Sequence, residues 1–358
     1  MLRLGVLQGD GIGPEIVPAA VRVVDAALVA ADATPVDWLE LPMGATAIRT
    51  HGTALPADTV DALADTDGWL LGPVDGAAYP EPFRSQLNPS GALRKHFDLY
   101  ANIRPARAVA GARALRPDLD LVVVRENTEG FYADRNTFAG TGEFMPTPDV
   151  ALTIGVFTRS RVERIAVAAF ELARRRRRHV TIVHKANVLP LGMGLFRDVC
   201  REVGTRYTDV RVDDLHMDAM TVHLLRRAGD FDVVVAENMF GDILSDLTGE
   251  MAGSLGTAPS LNRSDTRAMA QAAHGSAPDI AGSDVADPVA TMLSAGMLLE
   301  WLGTRRGDSS LVGAAEQLSA AVHGVVAAGT CTRDLGGMAS TTSFTEAVLA
   351  ALADRPSS

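Results

Sequence analysis

The segment Glu237-Asn-Met-Phe-Gly-Asp-Ile-Leu-Ser-Asp246 carries two carboxylates four residues apart, Asp242 and Asp246, directly after the apolar run Phe231-Asp-Val-Val-Val-Ala236. Residues at i and i+4 share one helix face. The spacing therefore predicts that both acids point the same way from the opening turn of a helix that leaves a buried strand. Adjacent anions repel unless a cation lies between them, and hard oxygen ligands suit Mg2+ or Mn2+. An isolated D-x-x-x-D is more often one capping Asp and one exposed Asp, so the surrounding residues must decide.

Three arginines stand at expected element ends: Arg94 in Gly91-Ala-Leu-Arg-Lys95, Arg104 in Ala101-Asn-Ile-Arg-Pro105, and Arg125 in Val124-Arg-Glu-Asn-Thr-Glu-Gly130. Arginine binds carboxylates through two parallel N–H groups. Three of them in an acidic chain suggest a site for a small polyanion, although unrelated surface arginines give the same pattern. Tyr132 follows Arg125 by seven residues, and Lys185 sits in His184-Lys-Ala-Asn-Val188 with Asn187 two residues on. A lysine just past a buried strand either snorkels to water or sits where its pKa can fall. In His274-Gly-Ser-Ala-Pro-Asp-Ile-Ala-Gly282 the two glycines bracket a turn whose backbone amides could approach a phosphate or an adenine. Asp279 could accept from a ribose diol and would repel a 2′-phosphate. Taken alone, His274 reads as a structural loop histidine.

The elements that must hold these residues alternate. Apolar strands are expected at Leu2–Leu7, Gly68–Leu71, Leu121–Arg125, Val180–His184 and Phe231–Ala236, with helices at Glu15–Ala31, Arg161–Arg175, Leu191–Val203 and Asp287–Leu302. Near-continuous Val/Leu strands between helices indicate an α/β protein with much of its sheet buried on both faces. Gly9-Asp-Gly-Ile-Gly-Pro-Glu15 follows the first strand, but its spacing is G-x-G-x-G, and Asp25 falls inside the helix, so it is a weak dinucleotide signal. The segment Asp134–Pro148 breaks the alternation and reads as an arm that meets another subunit, and Asp354–Ser358 as a loose tail.

The chain has 358 residues, a net charge of −11, 47% apolar residues and two cysteines. That length fits one or two domains, and the charge argues against nucleic acid as the main partner. The run Arg174–Arg178 reads as a solvated helix end, since cations suit helix C-termini. No apolar run reaches a membrane span, the N-terminus is too brief for a secretory signal, and two cysteines give no disulfide framework. The expected location is the cytoplasm.

In this order, the segments LRK, NIRP, RENTEG, HKAN, GDILSD and HGSAPDIAG make the chain resemble the isocitrate/isopropylmalate dehydrogenase family of metal-dependent β-decarboxylating dehydrogenases, from Gly9 to Gly337. The resemblance implies an α/β fold of two domains with a non-Rossmann cofactor site. The large domain would be discontinuous, 1–100 plus 253–358, and the small one, 101–252, would carry the arm and dimer contacts. It also implies roles. Arg94, Arg104 and Arg125 would bind the malate moiety, with Ser90 and Asn187 also in the substrate site. Tyr132 would be the proton donor and Lys185 the acid/base lysine. Asp242 and Asp246 would hold the metal with Asp218, in Met217-Asp-Ala-Met-Thr-Val222, which departs from the usual V-D-x-x-x-M. Lys185 and Asp218 would reach across from the partner subunit of a homodimer. Ile12, His274, Gly275, Ser276, Ala277, Asp279, Ile280 and Asp287 would form the cofactor site. Asp279-Ile280 stands where NADP users carry Lys-Tyr, so NAD is implied. Asp287 stands where many relatives have Asn.

The implied reaction is oxidation of a 3-substituted malate at C2 and loss of its C3 carboxylate as CO2. Isopropylmalate enzymes place leucines three and four positions before the arginine matched by Arg94; here those positions are Gly91 and Ser90. The sequence Asn88-Pro-Ser90 also reverses the two polar residues of the isocitrate pattern, and the arginine that homoisocitrate enzymes often carry at position 91 is absent. The expectation is a polar or anionic C3 substituent, as in isocitrate or a carboxylate or phosphonate analogue. Isopropylmalate is second and tartrate or an alkylmalate third. A non-catalytic regulatory subunit is the main non-enzyme reading.

Overall fold

The computed structural model describes residues 2–132, 140 and 142–354. The order begins β1 (Leu2–Leu7), α1 (Gly13–Ala30), β2 (Val36–Glu40), α2 (Gly44–His51), α3 (Ala57–Ala64), β3 (Gly68–Leu71), α4 (Pro89–His96), β4 (Ala101–Arg107) and β5 (Asp120–Glu126). A hairpin, β6 (Glu143–Thr147) and β7 (Val150–Thr153), precedes α5 (Arg159–Arg174), β8 (His179–His184) and α6 (Gly192–Gly204). Then come β9 (Arg211–His216), α7 (Met217–Arg227), β10 (Val233–Ala236) and α8 (Asn238–Ala252). The chain ends with β11 (Leu261–Arg263), β12 (Ala268–Ala270), α9 (Val289–Arg306), α10 (Ser309–Ala327) and α11 (Thr341–Ala353).

Ten strands form one sheet in the order β2-β1-β3-β12-β11-β4-β5-β10-β8-β9. Both ends are parallel, β2-β1-β3-β12 and β5-β10-β8-β9, and antiparallel pairs involving β11 and β4 join them. Period-two alternation then sorts the second block. Val122, Val124, Val180, Ile182, Val233 and Val235 pack with α5 and α6 residues such as Phe170 and Val199. Leu121, Val123, Val234 and Ala236 point the other way, to Met220 and Leu224 of α7 and Leu244 of α8. Arg125 continues the β5 members of this set, Leu121 and Val123, which aims it under α8. A separate cluster gathers α1, α9, α10 and α11 around β1, with Ile16, Leu299, Leu318 and Phe344 fully buried.

Several expectations shift. Helix α1 starts at Gly13, so Pro14 occupies its second position and Glu15 its first turn. The helix expected from Asp287 begins at Val289, after Pro288 at the N-cap, and the Asp287 Oδ1 accepts the Val289 N–H at 2.8 Å just before it. The basic run ends α5 and is largely exposed, as expected, and it also carries ion pairs: Arg174 with Asp209 (3.0 Å) and Arg176 with Asp120 (2.7 Å) and the buried Asp232 (2.8 Å). The hairpin β6–β7 lies within and beyond the segment read as an arm, and it leaves Phe144, Met145 and Leu152 exposed. Residues 133–139 and 141 of that segment, and 355–358 of the expected tail, lie outside the described residues. Among the described residues no helix is long and apolar enough to cross a membrane.

Candidate active site

Register brings the charged residues together. Arg125 on β5 lies directly opposite Asn102 on β4, which lies opposite Asn262 on β11. Residues opposite one another share a sheet face, and so does Arg104, two residues along from Asn102. Helix α8 crosses that face. Gly241 permits the approach, since a Cβ there would sit 2.7 Å from both Cβ and Cγ of Arg125. Arg104 Nη1 donates to Ser245 Oγ (2.7 Å) and Asp246 Oδ1 (3.0 Å), and lies 3.4 Å from Asp242 Oδ1. Arg125 donates to Asn238 Oδ1 at 2.9 Å and, through Nη1, to Asp242. Glu237 caps the helix by accepting from Met239 and Phe240, so Asp242 is the fifth helical residue. The acid pair thus leaves the second and third turns, not the opening one, and still shares a face.

The electrostatics follow from this packing. Burial raises the Asp242 carboxyl, but the Arg125 and Arg104 charges outweigh it and hold the pKa below the usual value. For Asp246 burial wins over Arg104, and the neighbouring Asp242 adds to the upward shift. Burial, and then the nearby Arg125, push Arg104 down to about 10. Two carboxylates on one face could supply part of the oxygen donor set of a hard divalent ion, and the two arginines balance their charge.

The loop after β5 sets Tyr132. Glu126 accepts from the backbone N–H groups of Thr128 (2.8 Å) and Glu129 (2.6 Å), closing a tight turn. Gly130 has a φ of 89°, and its position would put a Cβ 2.4 Å from Glu237 Oε2. A side chain there would push the loop off the start of α8. Tyr132 emerges with its hydroxyl donating to Asp242 Oδ2 at 2.9 Å.

Lys185 and Asp218 form a second centre. Lys185 follows β8 and its Nζ lies 2.6 Å from Asp218 Oδ1 in the first turn of α7. The hydrogen bond from Lys185 lowers the Asp218 pKa. Asn187 is exposed. Within one chain the three expected metal ligands are not assembled: Asp242 and Asp246 share a face, Asp218 pairs with Lys185, and no group of three or more His, Cys, Asp or Glu among the described residues could hold a metal.

Ser90 and Arg94 meet on a residue that sequence reading missed. Asn88 caps α4 by accepting the Gly91 N–H (2.8 Å), which turns Ser90 inward. Ser90 Oγ donates to Gln271 Oε1 at 2.7 Å and Arg94 Nη2 donates to the same oxygen at 3.0 Å. Arg94 Nη1 also reaches Asn127 Oδ1 at 3.4 Å. A buried glutamine in the apolar stretch Ala268-Met-Ala-Gln-Ala-Ala273 was the available signal.

The glycine turn and the 274–282 segment build one pocket. Ile12 N–H donates to Ser276 O (2.9 Å), and a Cβ on Gly11 would sit 1.9 Å from that oxygen. Of the expected cofactor residues, Ile12, His274, Gly275, Ala277, Ile280 and Asp287 line a cavity of about 330 Å³. Ser276 is buried behind it, and Asp279 is exposed outside the lining. Sequence reading missed Ser254, Gly256, Val285, Arg333 and Asp334, which complete the wall. His274 Nε2 has no partner among the described residues, and burial lowers its pKa, so a neutral imidazole faces any guest. Asp287 accepts from Thr332 (2.9 Å), which also bonds Asp334 (2.7 Å). Burial, then Asp334, push Asp287 well above the carboxylate range.

Known proteins share this sequence pattern and fold. Residues 3–348 match the family described as isocitrate/isopropylmalate dehydrogenase. An isocitrate/homoisocitrate dehydrogenase of Thermus thermophilus is 42% identical over 356 residues, 98% of each chain. A 3-isopropylmalate/3-methylmalate dehydrogenase of Methanocaldococcus jannaschii is 38% identical over 353 residues, covering 97% of this chain and 98% of its own. The crystal structure of isocitrate dehydrogenase from Methylococcus capsulatus superposes with a TM-score of 0.87 at 36% identity, covering 98% of this chain and 99% of that one.

Proposed function

Because the chain belongs to the isocitrate/isopropylmalate dehydrogenase family, we propose that it oxidises and decarboxylates a malate whose C3 substituent is polar or anionic, with NAD and Mg2+ or Mn2+. The coarser activity is that of a β-decarboxylating hydroxy-acid dehydrogenase, an oxidoreductase acting on a CH–OH group. The observation that carries the substrate class is the polar floor of the specificity loop, where Ser90 and Arg94 converge on the Gln271 carboxamide. Isocitrate and its carboxylate or phosphonate analogues fit such a floor. The name of the Thermus thermophilus relative points the same way. Isopropylmalate is the runner-up, favoured by the name of the Methanocaldococcus jannaschii relative.

The chain's residues divide the work. Arg94, Arg104 and Arg125 would pair with the substrate carboxylates, the latter two exchanging their aspartates for substrate. Asp242 and Asp246 would hold the metal together with Asp218. When bound, the divalent ion would supply positive charge at the C1 carboxylate and C2 oxygen, and NAD the hydride acceptor. Lys185 would take the C2 hydroxyl proton as the C2 hydrogen leaves with its electron pair. The bond from C3 to its carboxylate then breaks, CO2 departs, and the electron pair moves to the C2 oxygen as an enolate. Tyr132 would protonate C3.

The Lys185–Asp218 pair lies beside exposed Val188, Leu189, Leu191, Val222 and Leu225. An apolar surface around a charged pair suits a second copy of the chain, which supports reading the protein as a homodimer in which each subunit lends Lys185 and Asp218 to the other; the cytoplasm is the proposed location. The apolar clusters support a division of 1–100 plus 253–358 from 101–252. NAD over NADP rests on Asp279, whose carboxylate would accept from a ribose diol and repel a 2′-phosphate.

The test is stoichiometry. With isocitrate, NAD and Mg2+, the enzyme should release one CO2 per NADH, and EDTA should stop both. NADH without CO2 would reduce the reaction to simple alcohol oxidation and contradict the proposal.

A further inference from the structure

The parallel strands β8 and β9 end in register, with His184 opposite His216 and Ile182 opposite Asp214. Lys185 follows one strand end and Asp218 lies just past the other, which is why the two meet as an ion pair. A lysine side chain turns about several bonds, so its aim depends on how firmly its own backbone is held. The peptide unit between Lys185 and Ala186 is held at both ends. Its carbonyl oxygen, on Lys185, accepts the N–H groups of Val188 (3.0 Å) and Leu189 (2.9 Å). Its N–H, on Ala186, donates to His184 Nδ1 at 3.1 Å.

That last bond fixes the state of the imidazole. A backbone N–H only donates, so Nδ1 carries no proton and the ring proton is on Nε2. Nε2 then donates to Asp214 Oδ1 at 2.8 Å, and the other oxygen of Asp214 accepts from Arg201 Nη2 at 2.6 Å. Burial lowers the His184 pKa against the pull of Asp214, which keeps the ring neutral. His184 and Ala186 are both buried, so loss of the acceptor leaves a poorly solvated N–H without a partner. A chain of bonds thus runs from Arg201 on α6 through Asp214 on β9 and His184 on β8 to the peptide that bears Lys185.

We propose that His184 is a positioning residue for Lys185, its unprotonated Nδ1 fixing the Lys185–Ala186 peptide while Asp214 holds the ring proton on Nε2. The inference rests on the reading of Lys185 as the group that takes the C2 hydroxyl proton. Proton transfer requires the base within hydrogen-bond reach of that hydroxyl, and a misplacement of about 1 Å costs on the order of 10²-fold in rate. His184 acts only through the direction it gives Lys185.

The experiment measures kcat and KM with NAD, Mg2+ and whichever of isocitrate and 3-isopropylmalate the wild-type enzyme turns over faster. Asn and Gln divide the imidazole between them. In His184→Asn the side-chain oxygen can accept the N–H two residues on, as Asn does in turns, and the reach to Asp214 is lost. In His184→Gln the amide reaches Asp214 and the acceptor for Ala186 is lost. His184→Gln should lower kcat ~10-fold to ~100-fold with KM within ~3-fold, and His184→Asn should keep both within ~3-fold of wild type. His184→Phe keeps a ring without either nitrogen and reads the same fall in kcat should the Gln variant fail to fold. Added to Lys185→Ala, His184→Gln should cost less than ~3-fold more, because its effect passes through Lys185. Equal falls in the Asn and Gln variants, a Gln variant with wild-type kcat, or an undiminished effect in the Lys185→Ala background overturns the role of His184 alone. Near-normal turnover in Lys185→Ala overturns the reading of Lys185 itself.

Discussion

Replacing Asp242 by Asn should weaken the fold before any question of catalysis arises. The guanidinium of Arg125 is 2% exposed, and among the described residues its one carboxylate partner is Asp242. Arg104, 8% exposed, retains Asp246 and Ser245. Asn is isosteric, so packing survives while the charge disappears. A unit charge pair about 4 Å apart at an effective dielectric constant of ~20 is worth about 4 kcal/mol. Asp242 is 33% exposed at its side chain, which lets solvent screen the pair. Asn238 Oδ1 and the new amide oxygen recover more, leaving a net loss of about 2–3 kcal/mol. Urea unfolding of the metal-free protein at neutral pH, wild type against Asp242→Asn, reads this directly. A difference below about 0.5 kcal/mol, the range of ordinary surface changes, would refute the claim that Asp242 compensates a buried arginine. Adding Mg2+ with substrate should stabilise the wild type and leave the variant unmoved.

Three further outcomes can be checked. Lys185→Ala and Tyr132→Phe should each lower turnover by about 10²–10⁴, and near-normal steady-state rates in either would remove that residue from the mechanism. Burial raises Glu129 to about 7 despite the hydrogen bonds from Thr158, with Glu126 adding to the shift. The folded protein then holds that proton more tightly than the unfolded chain, so Glu129 makes stability fall as pH rises from the ordinary carboxylate value to about 7. Glu129→Gln should flatten this slope in unfolding midpoints between pH 5 and 8, and an unchanged slope counts against it. Asp279→Lys should shift the NADP/NAD ratio of kcat/KM upward by at least ~10-fold; an unaltered ratio would move cofactor choice to another residue.

The chemistry of the site was more legible in the chain than its geometry. Asp242, Asp246 and Arg125 could be placed because a strand end and an i,i+4 spacing impose directions locally. The register that lays Arg104 beside them needed β4 paired with β5, which no local pattern shows. Gln271 escaped because its meaning lies in Ser90, 181 residues away. Ser254 and Asp334 escaped similarly: their hydrogen bond at 2.6 Å spans 80 residues and closes the cofactor pocket. The arginine run was read as a helix end, and its partners Asp120, Asp209 and Asp232 escaped because they come from separate turns and strand starts. Local spacing announces which groups can react, and long-range pairing decides what each one faces.

The most direct measurement is kcat/KM with NAD and Mg2+ across isocitrate, homoisocitrate, phosphonomethylmalate, tartrate, malate and 3-isopropylmalate. The polar floor at Ser90, Arg94 and Gln271 predicts that a malate with an acidic C3 substituent exceeds isopropylmalate at least ~10-fold. Isopropylmalate exceeding every acidic analogue by the same margin would contradict it.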